Sequence, residues 1–296
     1  MTWTLEQIPP LAGKQMLVTG VTSGIGTHTA RELAARGATV ILAARSATKL
    51  AATRAALSAE LPQATFHDLL IDLSEMSSVR RAADQAREFG AIDVLVNNAG
   101  VMGAPYTRTG DNFELQMATN HFGPFLLTGL LLDQLAASGD GRVVAVASLM
   151  HRFARKAPLG EPRRAEGSYR RWDVYAESKL ANLLFTFELE RRLRAANLPV
   201  KAVAAHPGYS ATGLTGSNSI MDAFTKAVAQ PARMGAWPSL MAATADIPGG
   251  TYIGPDSLGQ TRGNPKVVGC SALARDTSVA AQLWDVSEQA TGIAYP

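Results

Sequence analysis

The stretch "LVTGVTSGIGTHTA" (residues 17–30) sets three glycines, Gly20, Gly24 and Gly26, between an apolar run and a helical pattern. Without a Cβ, the chain can turn tightly there and let an anion approach its backbone. At the start of a helix, the N–H groups and the helix dipole favour negative charge. The spacing is G-x-x-x-G-x-G, with Ser23 and Ile25 beside the glycines; it differs from the commoner G-x-G-x-x-G but serves the same physics. The pattern points to a pyrophosphate site. A glycine turn needed only for tight strand–helix packing is the competing reading.

Outward from this stretch, short apolar runs alternate with helical ones. The runs "KQMLVTG" (14–20), "ATVILAA" (38–44), "ATFHDLLI" (64–71), "IDVLVN" (92–97), "GRVVAVAS" (141–148) and "VKAVAAH" (200–206) read as strands, and "GGTYIG" adds a last one. Their near-continuous apolarity suits parallel strands covered on both faces. Helical patterns fill residues 24–37, 46–61, 74–90, 111–137 and 173–193, the first ending at the C-cap signal Gly37 and the second opening on the N-cap signal Ser46. The alternation predicts an α/β fold, a Rossmann-type doubly wound parallel sheet of about seven strands with helices on both faces. Residues 1–296 read as a single domain, with a substrate-side insert at about 149–174 and a substrate-capping region at about 209–245.

Composition narrows the class. The chain has 296 residues, 47% of them hydrophobic, enough to bury a core without staples. A single cysteine, Cys270, leaves no partner for a disulfide within the sequence and suits a reducing cytoplasm, the expected location. The start lacks the order of a signal peptide. The most apolar run, "FGPFLLTGLLL" (122–132), is too short to span a bilayer. A net charge of +3 is too mild to indicate nucleic acid. His151 and His206 have no ligand-type residue at metal spacing, so no metal is expected.

The second strand ends "ILAARS", with neutral Ala44 and then Arg45 where an NAD enzyme usually carries an acid for the ribose 2′-hydroxyl. With no carboxylate to repel it, a 2′-phosphate would suit Arg45, which favours NADP over NAD; a solvated loop arginine is the alternative. Further on, "DVYAESKLANLL" places Tyr175 and Lys179 four apart, on one helix face. A phenol with an ordinary pKa near 10 is a poor acid–base catalyst at neutral pH. An ammonium at about 4 Å would favour phenolate by roughly 4 kcal/mol at an effective dielectric of 20, before desolvation takes some of that back. The pair therefore reads as a tuned acid, with an ordinary helical pair and a solvated lysine as the alternative.

Taken together, "TGVTSGIG", "NNAG" (97–100), "YAESK" (175–179) and "HPG" (206–208) resemble, in order and placement, the motifs of classical short-chain dehydrogenase/reductases from about Lys14 to Thr212. The phrases "ILAARS", "NHFGPFLLT" and "AAHPG" are most similar to the retinol-dehydrogenase-like and protochlorophyllide-reductase-like branch. The resemblance implies Tyr175 as general acid or base, Lys179 on the nicotinamide ribose, Ser148 on the substrate oxygen and Asn120 holding a water that links Lys179 to solvent. It also implies Asn98, Ala99 and Gly100 along the cofactor cleft, Asp72 and Leu73 beside the adenine, and Pro207, Gly208 and Thr212 closing over the nicotinamide. One departure stands out: "AVAS" puts Ala145 and Ala147 where the family often has Asn and Ser, leaving Ser148 as the only hydroxyl there.

Between Ser148 and Tyr175 lies a long insert. From Arg152 to Asp173 it carries seven basic residues against three acidic ones. It reads as a solvated loop over the substrate mouth, with an acidic substrate or an anionic membrane face as the alternative. Met221, Met234, Trp237 and Met241 suit either an apolar substrate wall or ordinary core. The leading expectation is an NADP(H)-dependent oxidoreductase acting on a small, lipophilic carbonyl or alcohol. A non-catalytic NADP sensor or scaffold on the same fold is the alternative; nucleic acid is not an expected partner and peripheral membrane contact is not favoured. Homo-oligomerisation is open, since members of the family often pair through the helices here at about 111–137 and 173–195.

Overall fold

The computed structural model describes residues 2–160, 167, 169–209 and 230–296. Thr212, Met221 and most of the expected capping region lie outside them. Seven strands form where apolar runs were expected: β1 (Gln15–Thr19), β2 (Thr39–Ala44), β3 (Phe66–Leu70), β4 (Val94–Asn97), β5 (Gly141–Val146), β6 (Val200–Ala205) and β7 (Tyr252–Ser257). All seven run parallel. An eighth, β8 (Arg262–Val267), pairs antiparallel with β7 across an irregularity between Pro255 and Ser257. The order is β3-β2-β1-β4-β5-β6-β7-β8. Connections from β1 run outward one way through β2 and β3, then the other way from β4. Between β1 and β4 the order reverses, so a crevice opens beyond the C-terminal ends of these two strands.

Helices cover both faces. On one face, α1 (Gly24–Ala35), α2 (Ala47–Glu60), α8 (Ala232–Gly235) and α9 (Trp237–Thr244) pack on a core that includes Val18, Val40, Val96, Val144 and Val203. Trp237 and Met241 are partly buried against that same core. The other face carries α3 (Met76–Arg87), α4 (Leu115–Met117), α5 (Gly123–Leu130), α6 (Leu132–Ala137), α7 (Arg171–Ala195) and α10 (Thr277–Thr291). The two caps fall where expected: Gly37 has φ +95°, and the Ser46 side chain accepts from the Lys49 N–H at 3.4 Å.

The helix expected over 111–137 is broken. Glu114 caps α4 with both carboxylate oxygens, and residues Ala118–Phe122 form a π-helical turn before α5 begins. The cause lies in "GP" at 123–124. Pro124 has no N–H for the Asn120 carbonyl, and its ring crowds that carbonyl. A π-bulge relieves the conflict. It also points neighbouring residues to opposite sides. Asn120 faces the crevice, while His121 is buried against α10, its Nε2 donating to Ser287 Oγ at 2.7 Å.

Helix α10 lies across α5 and α7, the helices named above as a pairing surface for relatives. Trp284 is 2% exposed, stacks on Phe185 at 6.0 Å, meets Phe125 edge-on at 5.0 Å and carries the Arg192 guanidinium over its ring at 4.4 Å. The chain thus covers this apolar face itself.

Two buried histidines couple the fold to pH. Burial holds both His121 and His206 down to about 3, against an ordinary 6.5. On unfolding they regain the ordinary value, so between pH 6.5 and 3 the unfolded chain binds more protons. Stability is therefore fully present above about 6.5 and lost as pH falls, by about 1.4 kcal/mol per unit for each histidine. Urea midpoints between pH 7 and 5 are expected to fall accordingly; a constant midpoint would contradict it.

Candidate active site

The glycine loop sits at the mouth of the β1–β4 crevice. Gly20 (φ +73°) and Gly24 (φ +59°) adopt the left-handed region. A Cβ on Gly20 would stand 2.8 Å from Ala99 Cα, and one on Gly26 would stand 2.3 Å from the Gly20 carbonyl oxygen. Packing against the end of β4 thus demands glycine at these two positions, as the competing reading held. The donors that could hold an anion are at the N-terminus of α1. There Ser23 is the N-cap in extended backbone, its side chain makes no capping bond, and no acidic residue lies in the first turn. The N–H groups of a helix's first turn have no intrahelical acceptor, so this donor set fits a pyrophosphate. Ile25 packs into the core below.

Asn98 and Thr19 lock the loop. The Asn98 side-chain amide donates to the Thr19 carbonyl at 2.7 Å, while Thr19 Oγ1 accepts from the Asn98 and Ala99 N–H groups, each at 3.0 Å. Asn98 therefore shapes the cleft. Thr19 was not among the sequence candidates, and an apolar strand ending in threonine carries no signal for it.

At the adenine end Arg45 is 72% exposed, its Nε 3.8 Å from Asp72 Oδ2. Asp72 Oδ1 is held by the Ser74 N–H and hydroxyl at 2.9 and 2.6 Å. Leu73 is 4% exposed within the core, so only its backbone is free to meet a base.

The four expected catalytic positions converge. Ser148 follows β5 and caps a short 3-10 helix, Leu149–Phe153, its Oγ accepting from the Met150 N–H at 3.2 Å. That leaves the hydroxyl proton free, and Ser148 lies near enough to the Tyr175 phenol to favour its charged form against the effect of burial. Tyr175 is 7% exposed. One turn along α7, Lys179 Nζ donates to the Val146 carbonyl at 2.9 Å and lies 5.8 Å from the centre of the Tyr175 ring. Asn182 shares that carbonyl at 3.2 Å. Asn120 is clasped to Val101, Oδ1 accepting at 2.8 Å and Nδ2 donating at 2.9 Å, and Nδ2 also donates to Ser178 Oγ at 3.0 Å. A Cβ on Gly100 would stand 3.0 Å from Asn120 Oδ1 and 3.5 Å from Lys179 Nζ. The backbone of 98–100 therefore runs unbroken from the glycine loop to this cluster.

The electrostatics differ from the sequence expectation. Burial pushes the Tyr175 phenol up to about 12, with Ser148 pulling the other way. Burial also pushes the Lys179 ammonium down to about 8. Lysine does not by itself depress the phenol, because desolvation opposes charge on both groups. As it stands, the pair holds the phenol firmly protonated at neutral pH.

Pro207 and Gly208 close the far side. Gly208 has φ +67°, and a Cβ there would stand 2.4 Å from the Thr261 carbonyl oxygen. His206 Nδ1 accepts from the Gly208 N–H at 3.2 Å, leaving Nε2 to donate to Gln260 Oε1 at 3.2 Å. Gln230 donates to the Pro207 carbonyl at 2.6 Å. His206 is a brace for this turn, a role that its place after a strand did not disclose. Of the insert's cations, Arg152 donates to the Gly269 carbonyl at 2.8 Å rather than being merely solvated. Arg155 and Lys156 line a pocket with Phe153, Ala154, Asp173 and Glu177. Among the described residues no helix is long and apolar enough to cross a membrane.

A family model for short chain dehydrogenase matches residues 14–159. Retinol dehydrogenase 12 of Homo sapiens is 37% identical over 290 residues, covering 96% of this chain and 88% of the relative. Retinol dehydrogenase 11 of Homo sapiens is 38% identical, covering 96% and 87%. A crystal structure of a protein from Mycobacterium paratuberculosis is 42% identical, matches 100% of both chains and gives a TM-score of 0.85. The chain belongs to the short-chain dehydrogenase/reductase family and is an alcohol/carbonyl oxidoreductase. Within that family its place is the retinol-dehydrogenase-like branch.

Proposed function

We propose that this protein uses NADP(H) to interconvert a lipophilic alcohol and its carbonyl, with Tyr175 as the general acid in reduction and the general base in oxidation. The observation that carries the reading is the convergence of Ser148 and Lys179 on the Tyr175 phenol, with the backbone of 98–100 leading to them from the glycine loop. Bound there, nicotinamide supplies or accepts hydride. The α1 N-terminus holds the pyrophosphate and Arg45 the 2′-phosphate. Lys179, with one proton on Val146, turns its others to the ribose hydroxyls. Ser148, accepting from Met150, donates to the substrate oxygen and orients it for the Tyr175 proton. Asn120, fixed between Val101 and Ser178, keeps the backbone beside Lys179 in place.

The apolar character of the substrate is supported by exposed aromatics near the cluster, Trp172 beside Tyr175 and Gly103, and Tyr209 after the Pro-Gly turn, and by the retinol dehydrogenases among the relatives. NADPH consumption measured against a panel of apolar aldehydes, ketones and quinones tests the proposal. Turnover is expected with at least one class; tight NADPH binding without turnover would instead favour a sensor. Cofactor choice has its own test. Arg45→Asp is expected to weaken NADPH binding by about 1.5–3 kcal/mol, the range for a hydrogen bond to a charged group, and to leave NADH little changed. Equal losses for both cofactors in fluorescence titrations would remove Arg45 from the 2′-phosphate site.

A further inference from the structure

We propose that His151 is a positioning residue for Ser148, an inference that rests on the proposed role of Ser148 in turnover. The serine stands in extended backbone, φ −156° and ψ 156°, where the chain leaves β5 for the 3-10 helix. Its hydroxyl direction follows from how that backbone is held. The Ser148 carbonyl accepts two hydrogen bonds, both from His151: the backbone N–H at 3.1 Å and the ring Nδ1 at 2.6 Å. The other ring nitrogen, Nε2, accepts from the Ser271 N–H at 3.2 Å. A donor at Nδ1 and an acceptor at Nε2 define one neutral tautomer. An imidazolium would lose the bond to Ser271.

The ring is built in. His151 is 0% exposed and meets Tyr252 edge-on at 5.8 Å. Its neighbour Arg152 pins the same distant segment through the Gly269 carbonyl at 2.8 Å. The imidazole thus ties the serine's carbonyl to residues 269–271, which follow β8 and are more than a hundred positions away in sequence. His151 touches neither Tyr175 nor Lys179 in the contacts seen here, so its influence on the reaction passes through Ser148. Segment 269–271 in turn becomes the fixed reference for the serine hydroxyl. Without it, the 3-10 helix could pivot at the end of β5 and carry the hydroxyl off the Tyr175 line.

The ring's two roles can be separated by substitution. His151→Asn keeps a nitrogen donor at the δ position and loses the acceptor for Ser271; His151→Gln keeps an acceptor at the ε position and loses the donor to Ser148; His151→Leu loses both. Misplacing a reacting group by about 1 Å costs about 100-fold, so kcat is expected to fall by roughly 10- to 100-fold in the Leu and Gln variants and to recover to within about threefold in Asn. In a Ser148→Ala background His151→Leu should cost nothing more, since the two act as a unit. Additive losses, or Asn no better than Gln with both folded and binding NADPH as the parent does, would overturn the proposal. Should His151→Leu fail to fold, the Asn and Gln pair still decides. A crystal structure of His151→Gln, in which Ser148 is expected to have left Tyr175, decides the placement independently of turnover; Ser148 unmoved would sink it. Absence of turnover in the unaltered protein, by contrast, would count against the proposed function.

Discussion

Tyr175→Phe is expected to lower kcat by about 10²- to 10⁴-fold, the usual contribution of a positioned proton donor, and to leave NADPH affinity within about twofold. The hydroxyl faces Ser148, while the ring is held by packing against Trp172 at 6.4 Å and by its place on α7. Phenylalanine keeps those contacts, so the loss should lie in chemistry. Steady-state kinetics with single-turnover measurements and a cofactor titration will show it. Full activity would remove the proposed acid. The pH profile of the unaltered protein carries a second signature. A phenol held at about 12 stays protonated across the neutral range, so reduction should vary little with pH. Alcohol oxidation needs phenolate, so its kcat/KM should rise by up to about tenfold per unit on the alkaline side. A falling oxidation limb would contradict the assigned direction.

The largest expected effect on stability is at the far side of the same helix. Trp284→Ala removes the side chain that seats α10 on α5 and α7, with contacts to Phe125, Phe185, Tyr295 and Arg192. Truncating a fully buried tryptophan costs about 3–5 kcal/mol. Denaturant unfolding should register it as a lower midpoint. A loss under about 0.5 kcal/mol, the range of unremarkable surface changes, would mean that α10 is not docked as described. Because α7 also carries Tyr175 and Lys179, and because His121 bridges to Ser287 beside Asn120, partial loss of activity is expected to accompany the loss of stability.

Much of this protein was legible along the chain. The central strands β2, β4 and β5 were visible because they are buried on both faces and so read as nearly unbroken apolar runs. The edge strand β3 carries His67, Asp68 and an exposed Leu70 and was marked only by its place in the alternation. Residues 24–26 and 175–179 were visible because their chemistry is local: glycines at a helix start, and a phenol and an amine one turn apart. Strand β8 was not. Its sequence "RGNPKV" is an edge strand with its polar residues in solvent, and neither periodicity nor β-branching marks it. The break before α5 had a signal in "GP", but a proline two residues into a helix is also a normal start, so only the carbonyl of Asn120 decides between the two.

What the sequence by itself determined is the alternation of strand and helix, the order of the motifs and the residue types brought to the crevice, since these depend on neighbours within a few positions. The tertiary structure decided the rest. At Tyr175 it fixed how far burial opposes the adjacent amine, an effect whose size the sequence could not give. It also bound His151 to Ser271 and His206 to Gln260 across long loops, contacts that arise only when segments remote in the chain share a dry interior in which every polar group must find a partner.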